Sequence, residues 1–134
     1  MTDFRQVTDS YAVSPQIDPA DLAEAKARGF VMVINNRPDG EAPDQPTSAQ
    51  MEAAAKAAGL AYRHIPVRGG PTPEQAQEQA EALAGAGGPV LAFCRSGTRS
   101  IITWSQAAAK EAGLGRDDIV ARGAAAGYDL SGVV

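Results

Sequence analysis

Reactive and basic residues are scarce in this chain. It holds one cysteine and one histidine, so no internal disulfide can form, and the pair cannot by themselves build a structural zinc site. Lys and Arg number 12 against 16 Asp and Glu, for a formal net charge of −4. A nucleic-acid binder is usually basic, so that partner is set aside. No apolar run approaches the roughly 20 residues needed to cross a bilayer, and the opening MTDFRQVTDS lacks a signal peptide's apolar core. No membrane role is expected, and the cytoplasm is the default location. With 44% hydrophobic and 21% charged residues among 134, the composition fits one soluble globular domain spanning 1–134.

What is present reads as strands alternating with helices. Asp18-Pro19 places a capping side chain before a proline at a helix start, while Thr47 with Gln50 and Thr72 with Gln75 make two further cap patterns. Gly29, Gly59, Gly85 and Gly113 stand where helices should stop. Apolar strands are expected over 30–34, 61–67 and 89–93, after a short hairpin of 5–7 and 11–13. The order ββ-α-β-α-β-α-β-α-α predicts an α/β fold, a mostly parallel sheet with helices on both faces. Such sheets bind ligands beyond the carboxyl ends of their strands. The loops leaving those ends are 35–46, 68–71 and 94–100.

The third loop, Cys94-Arg95-Ser96-Gly97-Thr98-Arg99-Ser100, wraps the start of the next helix. Inward N–H groups, the helix dipole and guanidinium groups there would support a thiolate and an anion. A lone cysteine is commonly a buried core residue. Here strand, cysteine, two arginines, glycine and helix come in the order that nucleophilic chemistry needs. Cys94 and Arg99 are the expected catalytic residues. Arg95, Ser96, Gly97, Thr98 and Ser100 are expected to bind the anion, joined by Asn36 and Arg37 from the first loop, which equally make a turn with Pro38 and Gly40. No cofactor or metal is called for.

Two enzyme classes resemble this loop. Cysteine phosphatases of the tyrosine and dual-specificity type use C-x5-R-[ST] with a separate acid; rhodanese-type sulfurtransferases commonly use a loop one residue shorter. The fifth residue after Cys94 is Arg99, which gives C-x4-R-S and the sulfurtransferase spacing. Acidic residues suited to protonate a leaving oxygen are few: Asp39 and Asp44 in the first loop, with Glu74 placed to serve a helix dipole. The expectation is a sulfurtransferase carrying sulfane sulfur on a Cys94 persulfide, from a small anionic sulfur donor to a thiol acceptor or cyanide. The alternatives are a phosphatase acting through a phosphocysteine, with Asp39 as acid, and a non-catalytic persulfide or anion sensor.

The segments INNRPDG, HIPV, TPEQ, GPVLAFCRSGTRS and AAAGYDL together resemble a small bacterial domain found alone or fused to metallo-β-lactamase-like hydrolases. That family is known both as the β-lactamase hydrolase-like protein phosphatase-like domain and as a sulfurtransferase family. The resemblance implies a dual-specificity-phosphatase-like fold. It also implies a setting of persulfide handling, with a metallo-β-lactamase-like persulfide dioxygenase as a possible partner.

The remaining polar and aromatic residues read as structure. His64 lies in a strand whose alternation puts it with Tyr62 and Pro66, and it is expected to be a satisfied structural histidine. Arg68 either widens the positive rim or is a solvated surface residue. Trp104 is expected in the core, the acidic helix 73–83 on a solvated face, and Asp117-Asp118 at the cap of the last helix.

Overall fold

The computed structural model describes residues 2–134. Strands β1 (Arg5–Thr8) and β2 (Tyr11–Ser14) form an antiparallel hairpin with a register shift between Gln6 and Thr8. There follow α1 (Asp21–Ala27), β3 (Met32–Asn35), α2 (Ser48–Ala57), β4 (Ala61–His64), α3 (Pro73–Gly85), β5 (Val90–Phe93), α4 (Thr98–Gln106), α5 (Ala108–Glu111) and α6 (Arg116–Ala125). The five strands lie in the order β1-β2-β5-β3-β4, and every pair but β1–β2 is parallel. This is the α/β architecture with a mostly parallel sheet.

Side-chain alternation along the central strand divides the core. Val90 and Ala92 join Tyr11, Val13, Ile34, Ile101, Trp104, Ile119 and Leu130 on one face. Leu91 and Phe93 join Ala12, Leu22, Val33, Met51 and Ala55 on the other. The first face is covered by α3 to α6 and the second by α1 and α2, so every residue of the central strand β5 is apolar whichever way it points.

Thr47 and Thr72 each accept the amide of the glutamine three residues on, and each glutamine side chain answers the threonine's own amide, completing two capping boxes. The Asp18 expectation is corrected. Helix α1 begins later, at Asp21, because the chain first makes a turn in which the Asp21 amide meets the Asp18 carbonyl. Asp21's carboxylate accepts the Asp18 amide instead. Asp117 and Asp118 lie in the first turn of α6, whose N-cap is Gly115, and make no capping bond. Regular pairing of β4 stops at His64, short of Val67. The Ile65 and Val67 amides still reach the Asn35 and Asn36 carbonyls, while Pro66 has no N–H to give. Helix α4 breaks at Ala107, adding the short α5 to the expected order. Among the described residues, no helix is long and apolar enough to cross a membrane.

Candidate active site

Parallel register brings the carboxyl ends of four strands to one rim. Asn35 is level with both Phe93 and His64, and Ser14 is level with Phe93. Cys94 is the first residue past β5. Its amide donates to the Ser14 carbonyl at 3.4 Å, while the Asn36 amide donates to the Phe93 carbonyl at 2.8 Å. The nucleophile candidate is thus anchored between two neighbouring strands and is fully buried.

Beyond Cys94 the chain turns sharply at Gly97, whose φ is 90°. That left-handed conformation suits glycine, and a Cβ there would stand 2.1 Å from the Tyr128 hydroxyl oxygen. The Gly97 N–H points back and donates to Cys94 Sγ at 3.1 Å. Ser96 and Thr98 bond to each other through their hydroxyls at 2.9 Å, and the Thr98 amide reaches Ser96 Oγ at 3.4 Å, fixing the first turn of α4. Arg95 is exposed, and its carbonyl accepts the Gln16 amide. Ser100 is buried; its Oγ has no partner among the described residues, while its carbonyl accepts the Tyr11 hydroxyl at 2.8 Å.

Arg99 leans across the rim from α4. Its Nη1 donates to Glu41 Oε2 at 2.8 Å and to the Val67 carbonyl at 2.9 Å, and its Nη2 donates to Glu41 Oε1 at 2.8 Å. Hydrogen bonds donated to Glu41 raise the Arg99 pKa, with the nearby Cys94 sulfur contributing in the same direction. Glu41 grips the outer end of the guanidinium. Nε and the second Nη2 hydrogen are not spent on Glu41 or Val67, and together they make a side-on fork suited to two oxygens of an anion.

Glu41 itself is pinned by two cations. The Arg99 bonds, followed by that from Arg37 Nε at 3.0 Å, hold its carboxyl down at about 2 against partial burial. Arg37 is buried and also donates to Gln16 Oε1 at 3.0 Å. Its amide meets Asn35 Oδ1 and its carbonyl meets His64 Nε2 at 2.9 Å. His64 therefore props the first loop. Asn36 spends both side-chain hydrogens on the Ile65 carbonyl and Gln79 Oε1, leaving its buried Oδ1 without a partner among the described residues. Asn36 and Arg37 are thus placed as supports of the loop and of Glu41. Asp39 is exposed, and its Oδ1 accepts the Ser48 amide at 2.7 Å at the start of α2.

Sequence reading missed Glu41, Tyr11 and Tyr128. Tyr11 is buried against Trp104, accepts Gln79 Nε2 at 2.9 Å, and keeps its proton well above the usual phenol range through burial, reinforced by the Cys94 charge. Tyr128, after α6, donates to the Ser96 carbonyl at 2.7 Å. Burial holds its phenol above the usual range, and the Arg5 guanidinium lies over its ring at 5.1 Å from the centroid.

The same chain of elements occurs in known proteins. The profile of the family "Beta-lactamase hydrolase-like protein, phosphatase-like domain" matches residues 3–111. A beta-lactamase hydrolase-like protein of Agrobacterium fabrum is 39% identical over 127 residues, which is 93% of this chain and 29% of that protein. One from Xylella fastidiosa is 36% identical over 129 residues, 96% of this chain and 30% of that protein. The chain therefore spans under a third of the curated relatives it matches. Among solved structures, a candidate phosphatase from Neisseria meningitidis is 32% identical with a TM-score of 0.83, over 96% of this chain and 91% of that one. Tk-PTP in its active form shares the fold at a TM-score of 0.70 and 22% identity, over 90% of this chain and 81% of that one.

These likenesses overturn the expectation of a rhodanese-type sulfurtransferase and favour the phosphatase alternative. That expectation came from counting residues between Cys94 and Arg99, and a count does not fix the width of a cradle. The left-handed turn at Gly97 and the start of α4 at Thr98 bring Arg99 beside Cys94 with one residue fewer. By both profile and relatives, the chain belongs to the phosphatase-like domain family of beta-lactamase hydrolase-like proteins.

Proposed function

We propose that this domain hydrolyses phosphate monoesters through a phosphocysteine on Cys94. The observation that carries the reading is the grouping of Cys94 Sγ, the Gly97 N–H at 3.1 Å and the Arg99 guanidinium at a strand-to-helix turn. This grouping sits on a fold shared with phosphatase-like relatives. Loop amides and the open fork of Arg99 would bind phosphoryl oxygens and follow them into the transition state. The Cys94 thiolate attacks phosphorus, the S–P bond forms, and the ester P–O bond breaks with its electron pair leaving on oxygen. Water then attacks phosphorus, the S–P bond breaks, and inorganic phosphate departs as the thiolate is restored.

Glu41 has no proton to give near neutrality, since two arginines hold it ionised. Asp39, exposed and accepting the Ser48 amide through Oδ1, serves the start of α2. The arrangement therefore favours esters whose oxygen leaves without protonation, with aryl phosphates foremost. The test is release of phenolate and phosphate from an aryl phosphate, with acid quenching and peptide mapping to trap the intermediate. A phosphoryl group on Cys94, and loss of turnover in a folded Cys94→Ser variant, are expected. Turnover that survives Cys94→Ser sinks the mechanism.

A further inference from the structure

The Tyr128 hydroxyl and the Cys94 sulfur meet opposite ends of one peptide group. The oxygen that accepts from Tyr128 at 2.7 Å is the carbonyl of Ser96. The N–H that donates to Cys94 Sγ at 3.1 Å belongs to Gly97, the other half of the same amide. The chain Tyr128 O–H to Ser96 C=O, then Gly97 N–H to Cys94 Sγ, is continuous. Each bond in such a chain polarises the next, so a donor on the carbonyl strengthens the N–H beyond it.

Orientation matters as well as polarity. Gly97 tolerates either sense of the peptide, and a flipped peptide would turn a carbonyl oxygen towards the sulfur and expel an anion. Tyr128 blocks the flip by holding the oxygen outward. It is itself held: its amide bonds to the Gly123 carbonyl at 2.8 Å, and Arg5, tied to Asp3 at 2.8 Å, lies over its ring. Tyr128 also stands beyond residue 111, where the family profile match ends.

We propose that Tyr128 is a positioning residue that locks and polarises the Ser96–Gly97 peptide, setting the reactivity of Cys94. The proposal rests on Cys94 being the nucleophile, not on which ester it attacks. Tyr128→Phe keeps the ring and its place under Arg5 while removing the donor. The measurement is the rate of Cys94 alkylation by iodoacetamide across pH, in the full chain, beside aryl-phosphate turnover.

Alkylation should abolish wild-type turnover, at a rate that rises with pH as the reacting thiolate forms. Tyr128→Phe should move the midpoint upward by roughly half a unit to one unit, with unchanged circular dichroism. Superimposable wild-type and Tyr128→Phe profiles overturn the proposal. Wild-type turnover that survives complete alkylation of Cys94 overturns the nucleophile reading itself, whatever the variant does. Should Tyr128→Phe fold poorly, 3-fluorotyrosine at position 128, a stronger donor, is expected to move the midpoint downward; an unmoved midpoint there is equally fatal.

Discussion

At the scale of single residues, the least expected member of the site is Glu41. It is anionic in a place proposed to accept an anion, and its bonds to Arg99 resolve the paradox. It takes the Nη1–Nη2 end of the guanidinium, with Val67 on the far side of Nη1, so the Nε edge is the one turned away from Glu41. Glu41→Ala should let Arg99 swing and weaken competitive inhibition by inorganic phosphate by about tenfold, as expected for losing charge-assisted bonds. Tighter phosphate binding in that variant would mean that Glu41 blocks the seat. The pair also has a pH signature. Folding lowers the Glu41 pKa from 4.5 to about 2, so its stabilisation is complete above 4.5 and is lost as pH falls towards 2. Glu41→Gln should flatten the stability curve in that window and run parallel to wild type above it, read by denaturant midpoints. Cys94 and Arg99 were legible in the sequence because they sit in one contiguous loop. Glu41 lies 58 residues from Arg99 and Tyr128 lies 32 from Ser96, and no spacing pattern announces a contact made only by the chain's return.

Among the elements, local chemistry was the most readable. Thr47 with Gln50 and Thr72 with Gln75 sit three residues apart and satisfy each other's amides, so their helix starts need no knowledge of the fold. The error at Asp18 had a local origin too: a turn over 18–21 competed with the cap and won. What no local pattern shows is how α4 is fastened to the sheet. The Tyr11 hydroxyl, from β2, donates to the Ser100 carbonyl near the start of α4 and accepts from Gln79 on α3. Gln79 in turn holds Asn36 at the exit of β3. One phenol therefore ties β2, α3 and α4 around the cysteine loop, and Gln79 extends the tie to the exit of β3. Tyr11→Phe leaves a buried carbonyl and a buried amide without their partner, at a cost of about 1–3 kcal/mol. Urea denaturation should show that loss together with reduced turnover, since Arg99 precedes Ser100 on the same turn. A variant as stable as wild type would mean that water replaces the hydroxyl.

Across the whole molecule, the two faces of the sheet carry different duties. The face covered by α1 and α2 is fastened by aliphatic packing, with Leu22 fully buried among Phe30, Val33 and Met51. The other face is closed by α6 and the tail, where Leu130 packs with Ile119 and Trp104. There Gly123 is required by close approach, for a Cβ would lie 2.7 Å from the Leu130 side chain and 3.3 Å from the Tyr128 carbonyl. Leu130 thus seats the segment that delivers Tyr128 to the Ser96 carbonyl. Leu130→Ala and Leu22→Ala should each cost about 2–5 kcal/mol as buried leucine truncations. Their effects on chemistry should part company. Assayed well below both melting temperatures, Leu22→Ala is expected to keep wild-type turnover of an aryl phosphate, while Leu130→Ala, with its tail loosened, should lose turnover and raise the pH needed for Cys94 alkylation. Equal losses of activity in the two variants would show that the tail acts on the site only through global stability.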